Sequence, residues 1–498
     1  MNKARKTIYY DGNCAACSNI MLRVKHSKKN DVFTTVDYHI HKLPQGITEE
    51  ELSKEIHVID SNGGLHRNFD AILEILDEYP HWKALVVFFR LPFFYQLGLI
   101  GYKIFAANRH LVLGKAGRLF WVKIVVALGF LIALLITYKL WLTGRSFPLV
   151  PVIPLTFNLP SFLDYYIFFA LIILLFFIMI FPNPRKTIFL FAAIFFILVF
   201  FDINRLQIFN YQYIFMLLAL GLFSWNYKDT VSTTRILNIC RLMIICIYFW
   251  GGLQKLNLYF FLFSFPWVIE PVIKITPNIL HSFIYFSGTI VPFLESGIGI
   301  GLFFKKTRIY AILGATILHC MILFTLGPLG HNYAPSIWPW NVVMILLVYL
   351  LFWNETTSFK NLFWIENDIF QNVILVLFGI LPFFSFFNFW DTYLSFSMYA
   401  GNINYAYMDF TNNNERFLPS EISRYLIKQD NKHFVLDIPV WGYDELGVLP
   451  YPESRVYKKV GADVCNYIAD KKDARLIIEG KKTVFDPDKA IIYTCKEI

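Results

Sequence analysis

Long apolar stretches recur along the chain from Leu119 to about residue 390, and short polar segments separate them. Each stretch approaches the roughly 20 residues that an α-helix needs to cross a bilayer. The stretches lie near residues 119–142, 164–181, 186–201, 211–226, 236–257, 282–304, 307–326, 337–353 and 369–390. Two of them are short, so the pattern predicts an α-helical polytopic membrane bundle of eight or nine transmembrane helices over residues 118–390.

Residues 1–117 show a different pattern, in which short strand-like and helical segments alternate. The predicted elements in order are a strand (Thr7–Tyr10), a helix (Cys14 to about Lys25), a strand (Val32–Val36), a hairpin (Ile56–Arg67) and a helix (Ala71–Leu76). The hairpin follows from Asn62-Gly63-Gly64, because these residues supply the positive φ values of a tight turn. This order predicts a thioredoxin-like α/β domain.

The segment Ala84–Ala107 is apolar, but Arg90, Pro92 and Lys103 interrupt it. A spanning helix would carry two unpaired charges there at a cost of several kcal/mol. We therefore expect helices that lie on the membrane surface.

Residues 391–498 regain charge and contain further strand-like runs. The runs are Phe434–Trp441, Arg455–Tyr457 and Arg475–Ile478. They predict a small, mostly β extramembrane domain.

Composition supports the membrane interpretation, because 56% of the 498 residues are hydrophobic and only 16% are charged. Soluble domains average about 25% charged residues. The net charge is +9, yet no basic run of five or more residues occurs, which argues against a nucleic-acid partner and leaves membrane lipid as the expected one.

The distribution of basic residues predicts the orientation in an inner or cytoplasmic membrane. With a cytoplasmic N-terminus, the inner loops would carry Arg185, Lys186, Lys228, Arg235, Lys305, Lys306, Arg308 and Lys360. The outer loops would carry Arg145, Arg205 and Lys274. This asymmetry follows the positive-inside rule, and nine crossings would place the C-terminal domain outside.

The motif Cys14-Ala15-Ala16-Cys17 begins the first predicted helix. The first thiol of such a motif lies over unpaired backbone N–H groups, which favour the thiolate and lower its pKa. The second thiol resolves the mixed disulfide formed by attack. We therefore predict that Cys14 is the nucleophile and Cys17 the resolving thiol.

The alternative use of this motif is half of a zinc site, which needs four ligands. No second Cys-x-x-Cys or suitably spaced His pair lies in this domain, so no metal site is expected. Cys240, Cys246 and Cys320 are most simply small apolar residues of helices. Cys465 and Cys495 could pair outside the cell, or remain free.

The stretch Tyr10-Asp11-Gly12-Asn13 before the cysteines resembles the signature of the DCC-type thiol-disulfide oxidoreductase domain, and the resemblance extends over about the first 110 residues to Arg109. It implies a thioredoxin-like fold and protein-disulfide reductase activity, with a protein or small-molecule thiol or disulfide as partner. Asp11 would by resemblance tune the thiol site. Its other use is as a turn residue that caps the helix, and Gly12 supports the same turn.

Ionisable residues at membrane depth are candidates for function, because their burial costs free energy. The candidates are Lys255, Glu295 and His319 and, at helix edges, Glu270, His281 and His331. In the predicted topology Lys255 and the three histidines lie near the outer face and could line one cavity. The alternatives are that Lys255 snorkels to the headgroups and that His319 has a hydrogen-bonded packing role.

The segment Gly251-Gly252-Leu253-Gln254-Lys255 resembles the glycine-then-lysine stretch of the vitamin K-dependent γ-carboxylase and its bacterial relatives, the horizontally transferred transmembrane (HTTM) family. The resemblance implies that Lys255 is a catalytic base toward a reduced quinone. His319 similarly falls on a histidine-containing helix of that family. A quinone is the one cofactor that the chain suggests, and none is certain.

Three functions follow from these features. The first is a membrane-bound thiol-disulfide oxidoreductase that uses Cys14 and Cys17. The second is a membrane enzyme of the γ-carboxylase type, acting on a quinone-like or isoprenoid substrate with the thiol domain as its reductant. The third is a transporter or scaffold in which the cysteines are a redox switch.

Overall fold

The computed structural model describes residues 5–27, 31–41, 43, 47–108, 114–153, 161–222, 225, 229–355, 362, 368–411, 418–429, 433–481 and 490–498. Arg109, Lys228 and Lys360 of the sequence predictions lie outside these residues. The chain divides into two compact units. The first unit consists of Met1–Trp121 with Ile180–Asn183 and Trp225–Thr234, and the second consists of Val122–Met179, Pro184–Ser224 and Arg235–Ile498.

The first unit contains a four-stranded sheet of order β2-β1-β3-β4. Its elements are β1 (Lys6–Tyr10), α1 (Ala15–Lys25), β2 (Phe33–Asp37), α2 (Glu49–Lys54), β3 (His57–Ile59), β4 (Leu65–Arg67) and α3 (Asn68–Leu76). Strand β1 pairs in parallel with β2 and antiparallel with β3, so the end of β1 lies in the middle of the sheet. The order predicted from the sequence is confirmed, and α2 is an additional helix.

The hairpin between β3 and β4 turns at Gly63, whose φ of 86° favours glycine. Asp60 holds this turn, because its carboxylate accepts hydrogen bonds from the N–H groups of Asn62 and Gly64, both at 2.8 Å. The hydrogen bond from His66 and these two N–H groups lower the pKa of Asp60 to about 2.

Two helices follow the sheet, α4 (Lys83–Phe89) and α5 (Pro92–Asn108), and they are bent by 107° relative to each other. The break falls at Pro92, which lacks a backbone N–H and disfavours a helical conformation of Leu91. Pro92 is one of the residues that interrupt this apolar segment in the sequence analysis. The location of the two helices on a membrane surface stays a prediction.

The second unit is mostly helical. In chain order its helices are α6 (Gly114–Ile136), α7 (Tyr138–Trp141), α8 (Ser161–Ile180), α9 (Arg185–Phe201), α10 (Ile208–Leu222), α11 (Thr230–Leu253), α12 (Phe265–Ile275), α13 (Asn278–Ser287), α14 (Val291–Phe303), α15 (Arg308–Leu326), α16 (Ile337–Phe352) and α17 (Ile369–Ile374). The first residues of α6 and of α11 belong to the first unit. After α17 the chain continues as a π-helix over Leu375–Ile380 and a 3-10 helix over Leu381–Phe387.

Five helical segments among the described residues are long and apolar enough to cross a membrane, and up to seven if each bent helix pair is one span. The five are Gly117–Ile136, Phe162–Ile180, Val231–Leu253, Arg308–Leu326 and Ile369–Phe387. By their length and composition these helices indicate a membrane protein. The eight or nine spans predicted from the sequence are not confirmed, because Ile208–Leu222 and Ile337–Phe352 are short.

A buried charge cluster lies at one end of α9. The Asp202 carboxylate forms an ion pair with Arg145 and accepts hydrogen bonds from the N–H groups of Val150 and Asn204 at 3.3 and 3.2 Å. Arg205 beside it is 1% exposed and donates to the Leu198 carbonyl at 2.8 Å. These contacts join the segment after α7 to the segment between α9 and α10.

The C-terminal part contains a five-stranded antiparallel sheet of order β6-β7-β5-β8-β9. Its elements are β5 (Tyr405–Thr411), α18 (Ser420–Ser423), β6 (Leu426–Lys428), β7 (His433–Asp437), α19 (Ile438–Leu446), α20 (Ser454–Cys465), β8 (Ala474–Glu479) and β9 (Ala490–Thr494). The predicted sheet is thus present, together with three helices that the sequence analysis did not predict.

One strand-like run is a strand only in its first half and another is wholly helical, which corrects the sequence prediction. The run Phe434–Trp441 leaves β7 at Asp437, whose side chain accepts from the Val440 N–H at 2.9 Å and caps α19. Arg455–Tyr457 belongs to α20, whose buried positions recur at helical spacing through Val456, Val460 and Val464. A three-residue window is too short to distinguish that spacing from a strand.

Cys465 at the end of α20 and Cys495 after β9 form a disulfide. The pairing that the sequence left open is therefore present. It links the last strand of the sheet to the helix that packs on β8.

Candidate functional site

The two cysteines lie at the start of α1, after the turn that follows β1. Cys14 is the N-cap residue of α1, with φ −88° and ψ 111°, and its sulfur accepts a hydrogen bond from the Cys17 N–H at 3.4 Å. The Cys14 carbonyl accepts from Ser18 N at 2.9 Å, as the first helical bond. The Cys14 sulfur thus occupies the anion-favouring start of a helix.

The two thiols differ in exposure. Cys14 is fully buried, whereas Cys17 is partly exposed and lines a small cleft of about 50 Å³. Tyr10 and Tyr102 line the same cleft, and burial together with the Asp37 charge raises the pKa of Tyr10. The helix start favours the thiolate form of Cys14. Cys17, by its exposure, is the thiol that a substrate can reach directly. A substrate can reach the Cys14 sulfur only after a local rearrangement.

Asp11 and Gly12 form the turn that positions Cys14. The Asp11 carboxylate is buried and accepts from the Asn13 N–H at 3.0 Å, so Asp11 does hold the turn. The Gly12 N–H donates to Asp37 at 3.2 Å, and a β-carbon on Gly12 would collide with the Asp37 carboxylate. Glycine is needed here because the Asp37 carboxylate lies too close for a side chain, and not because of the φ angle of Gly12.

His39 is a neighbour of this turn that the sequence analysis missed. Its Nε2 lies 3.0 Å from Oδ1 of Asp11, and its Nδ1 lies 3.7 Å from Glu49. Asp37 accepts from the His39 N–H at 3.1 Å and thereby holds the residue after β2. No local signal marks His39, because it reaches Asp11 only through the parallel pairing of β1 and β2. An Asp–His pair can hold or pass a proton beside the dithiol.

Residues 8–115 match the family model of DCC1-like thiol-disulfide oxidoreductases. This part of the chain is a DCC1-like domain. The match includes both cysteines and the Asp11–His39 pair, and it supports thiol-disulfide oxidoreductase activity. No curated protein and no solved structure matches the chain. The family match ends before the membrane helices, so the resemblance of the Lys255 segment to the HTTM family stays a prediction.

The described residues contain no group of three or more His, Cys, Asp or Glu side chains that could hold a metal ion.

Lys255 lies two residues beyond the end of α11, in a turn in which its N–H donates to the Gly252 carbonyl at 3.0 Å. Its Nζ lies 2.8 Å from Oε2 of Glu295 on α14 and donates to the Gly251 carbonyl at 2.9 Å. Both side chains are mostly buried, at 13% and 14% exposed. Lys255 thus has a specific carboxylate partner within the protein, which the snorkelling alternative does not require.

The two glycines before Lys255 permit this contact. A β-carbon on Gly252 would collide with the Pro292 carbonyl and the Ser296 N–H of α14, and one on Gly251 would lie 2.8 Å from Glu295. Helix α14 therefore lies close to the end of α11 at these two glycines.

His319 is 4% exposed on α15 and has partners for both ring nitrogens. Its Nε2 lies 2.7 Å from the Tyr248 hydroxyl, and its Nδ1 lies 2.6 Å from Oδ1 of Asn341. Asn341 in turn donates to the Ile337 carbonyl at 2.8 Å. This chain of hydrogen bonds fits the packing alternative for His319, and it also orients the ring toward Tyr248.

A cavity of about 810 Å³ joins these groups. Lys255, Glu295 and His319 line it with Tyr248 and Asn341, and the remaining lining is almost wholly apolar. His281 and His331 do not line it, which corrects the prediction that the three histidines and Lys255 share one cavity. His281 contacts the Thr276 carbonyl at 3.0 Å, and His331 contacts the Trp267 carbonyl at 2.6 Å.

Proposed function

We propose that this chain is a membrane-bound thiol-disulfide oxidoreductase of the protein-disulfide reductase type, with Cys14 and Cys17 as its redox centre. The position of the Cys14 sulfur at the start of α1, inside a domain that matches a thiol-disulfide oxidoreductase family, carries the proposal. The apolar helices that follow would hold this domain at a membrane.

The proposed reaction transfers two electrons to a substrate disulfide. The Cys14 thiolate attacks one substrate sulfur, an S–S bond forms between them, and the second substrate sulfur leaves as a thiolate that takes up a proton. Cys17 then loses its proton and attacks Cys14, which releases the first substrate sulfur. The products are a substrate dithiol and a Cys14–Cys17 disulfide. Asp11, which lines the same cleft as Cys17 and pairs with His39, would accept the Cys17 proton, and an external thiol would regenerate the dithiol.

The full chain, purified in detergent, should accelerate the reduction of a protein disulfide such as that of insulin by dithiothreitol. The measurement is the rate with and without the protein at equal dithiothreitol. A rate equal to the uncatalysed one would contradict the proposal.

For topology, we propose a cytoplasmic N-terminal domain and an outer C-terminal sheet, with nine crossings. The excess of basic residues in the predicted inner loops supports this orientation. Reporter fusions at both termini should therefore give opposite signals for cytoplasmic and outer location. Equal signals would mean an even number of crossings, with one of the short helices Ile208–Leu222 and Ile337–Phe352 as the first segment to reassign.

A second candidate is favoured by the apolar cavity that contains Lys255. An ionisable pair at the wall of a large apolar cavity suits a hydrophobic substrate with one reactive polar end, such as a quinone-like or isoprenoid compound. In this candidate Lys255 removes a proton from the substrate, Glu295 lies within hydrogen-bond distance to take up the proton of Lys255, and the DCC1-like domain is the reductant. The resemblance of the Gly251–Lys255 segment to the HTTM family supports the same role.

Lys255→Arg tests this candidate. Arginine keeps the charge and the pairing with Glu295 but cannot accept a proton from the substrate, so the variant should fold and lose the oxidation of an added reduced short-chain quinone by molecular oxygen, which takes up the two electrons. The matched control is Lys274→Arg, since Lys274 forms an exposed pair with Glu270 at 2.8 Å and should tolerate the change. Full quinone oxidation by the Lys255 variant, or none by the unaltered chain, would leave the dithiol as the only supported chemistry.

A further inference from the structure

A second cavity, of about 590 Å³, lies beside the cavity that contains Lys255. Ile337, Met398 and Tyr399 form part of the lining of both cavities and so stand between them. The Lys255 cavity is almost wholly apolar, whereas the described lining of the second cavity includes the hydroxyl groups of six tyrosines and three serines. A shared wall thus separates an apolar space from a space with many hydroxyl groups.

Met398 and Tyr399 of this wall belong to the segment Phe396–Asn402, which we call the dividing loop. Its backbone is left-handed at Phe396 and Tyr399, with φ of 62° and 51°, and at Gly401, with φ of 70°. Glycine adopts this conformation freely, but the β-carbon of an aromatic residue is crowded by its own backbone there. Such strain persists only where the surrounding structure holds it, and it recurs in segments that switch between conformations.

The C-terminal end of the dividing loop is tied to the turn that carries Lys255. The side-chain amide of Asn257 donates to the Ala400 carbonyl at 2.7 Å, and that of Asn402 donates to Oε1 of Gln254 at 2.8 Å. Gln254 and Asn257 flank Lys255 in the sequence. The loop that divides the cavities and the turn with the candidate base are therefore held by the same two hydrogen bonds.

The middle of the dividing loop is held by side-chain packing. Tyr399 stacks on Trp267 at a ring-centroid distance of 6.4 Å, and Met398 packs against a buried apolar cluster that includes Leu326. The Met398 N–H bonds within the loop, to the Phe396 carbonyl at 3.0 Å. Because its ends are tied and its middle is only packed, the middle can swing out of the wall while the ends stay in place.

The pair of Lys255 and Glu295 needs a route for protons if Lys255 acts as a base. Both side chains are mostly buried, and the described lining of their cavity offers few other hydrogen-bonding groups. A proton leaves such a site through hydroxyl groups or water molecules within hydrogen-bond distance. The second cavity supplies hydroxyl groups directly behind the dividing loop.

We propose that the dividing loop is a gate, whose opening joins the two cavities and gives water and small polar solutes access to the Lys255–Glu295 pair. The route starts in the second cavity, which residues of β5, β8 and α19 help to line. In the closed state Met398 and Tyr399 fill the wall, and in the open state they leave it. The proposal concerns access to the pair, so it stands or falls separately from the reaction proposed for Lys255.

The test places a thiol inside the Lys255 cavity and measures how fast a charged, water-soluble reagent reaches it. Gly297 lines this cavity, and a β-carbon there meets no atom within 4 Å, so Gly297→Cys introduces the thiol without a clash. The full chain carries this change with Cys14→Ser, Cys17→Ser and Cys320→Ser, in phosphatidylcholine nanodiscs. The reagent is 2-(trimethylammonium)ethyl methanethiosulfonate, which does not enter through the lipid because of its charge. Mass spectrometry gives the rate of modification at position 297.

Two variants open the gate. Tyr399→Ala removes the ring from the wall and leaves the backbone strain, and Asn402→Ala removes the hydrogen bond to Gln254. Each should raise the modification rate at position 297 by about tenfold, because the open state is the minor one in the unaltered loop. The matched control is Gly144→Cys in place of Gly297→Cys, since Gly144 is exposed and lines neither cavity among the described residues.

The thiol at position 144 should react rapidly and equally with and without the loop variants. An unchanged rate at position 297 in both folded loop variants would overturn the proposal. A rate at position 297 that already equals the rate at position 144 with the unaltered loop would also overturn it, because the cavity would then be open to water without a gate.

Discussion

Replacing either Cys14 or Cys17 by serine is expected to reduce disulfide turnover by the full chain by more than about 10³-fold. A serine hydroxyl is not an effective nucleophile toward a disulfide, and one remaining thiol cannot complete the two-step exchange. The measurement is the catalysed reduction of insulin in detergent. Cys320→Ser is the matched control, because Cys320 is an exposed free cysteine outside the DCC1-like domain.

The two variants should differ in the intermediate that they accumulate. If Cys14 attacks first, Cys17→Ser retains the attacking thiol but cannot resolve the product, so it should accumulate a mixed disulfide that mass spectrometry detects. Accumulation in Cys14→Ser instead would reverse the two roles, in line with the greater exposure of Cys17. Turnover retained in both variants would contradict the dithiol mechanism.

Asp202→Ala is expected to lower the free energy of unfolding by about 3–5 kcal/mol. The change leaves the buried Arg145 guanidinium without its carboxylate partner, and it removes the acceptor for the N–H groups of Val150 and Asn204. Removing one member of a buried ion pair costs far more than removing an exposed pair. The measurement is thermal unfolding of the detergent-solubilised protein.

Glu270→Ala is the control for this prediction. It also breaks an ion pair, with Lys274, but both partners are well exposed, at 44% and 68%, so the loss should stay below about 1 kcal/mol. Similar unfolding temperatures for the Asp202 and Glu270 variants would show that the buried cluster does not hold the segments after α7 and α9 together.

The DCC1-like domain could be predicted from the sequence because its signals are local. The turn at Asp11–Asn13, the helix from Cys14 and the glycines of the hairpin each act within a few residues. His39 was missed because its contact with Asp11 depends on strand pairing across 28 residues, which no local pattern encodes.

The helices of the membrane part could be predicted, because their apolar composition and their length are properties of the local sequence. Helices lie near the positions predicted from the apolar stretches. The pairing of Lys255 with Glu295, and the separation of both from His281 and His331, depend on how distant helices pack. In the C-terminal part the caps of α19 and the long-period pattern of α20 outweighed β propensity, so two short runs were assigned wrongly.

The disulfide between Cys465 and Cys495 has a consequence for the chain as a whole, because the same molecule carries the thiols of Cys14 and Cys17. Structural disulfides persist in oxidising compartments, while a reductase dithiol works where thiols stay reduced. The proposed topology, with the two ends on opposite sides of a membrane, would meet both requirements. The oxidation state of each cysteine pair in intact cells therefore reports on which side of the membrane that end of the chain resides.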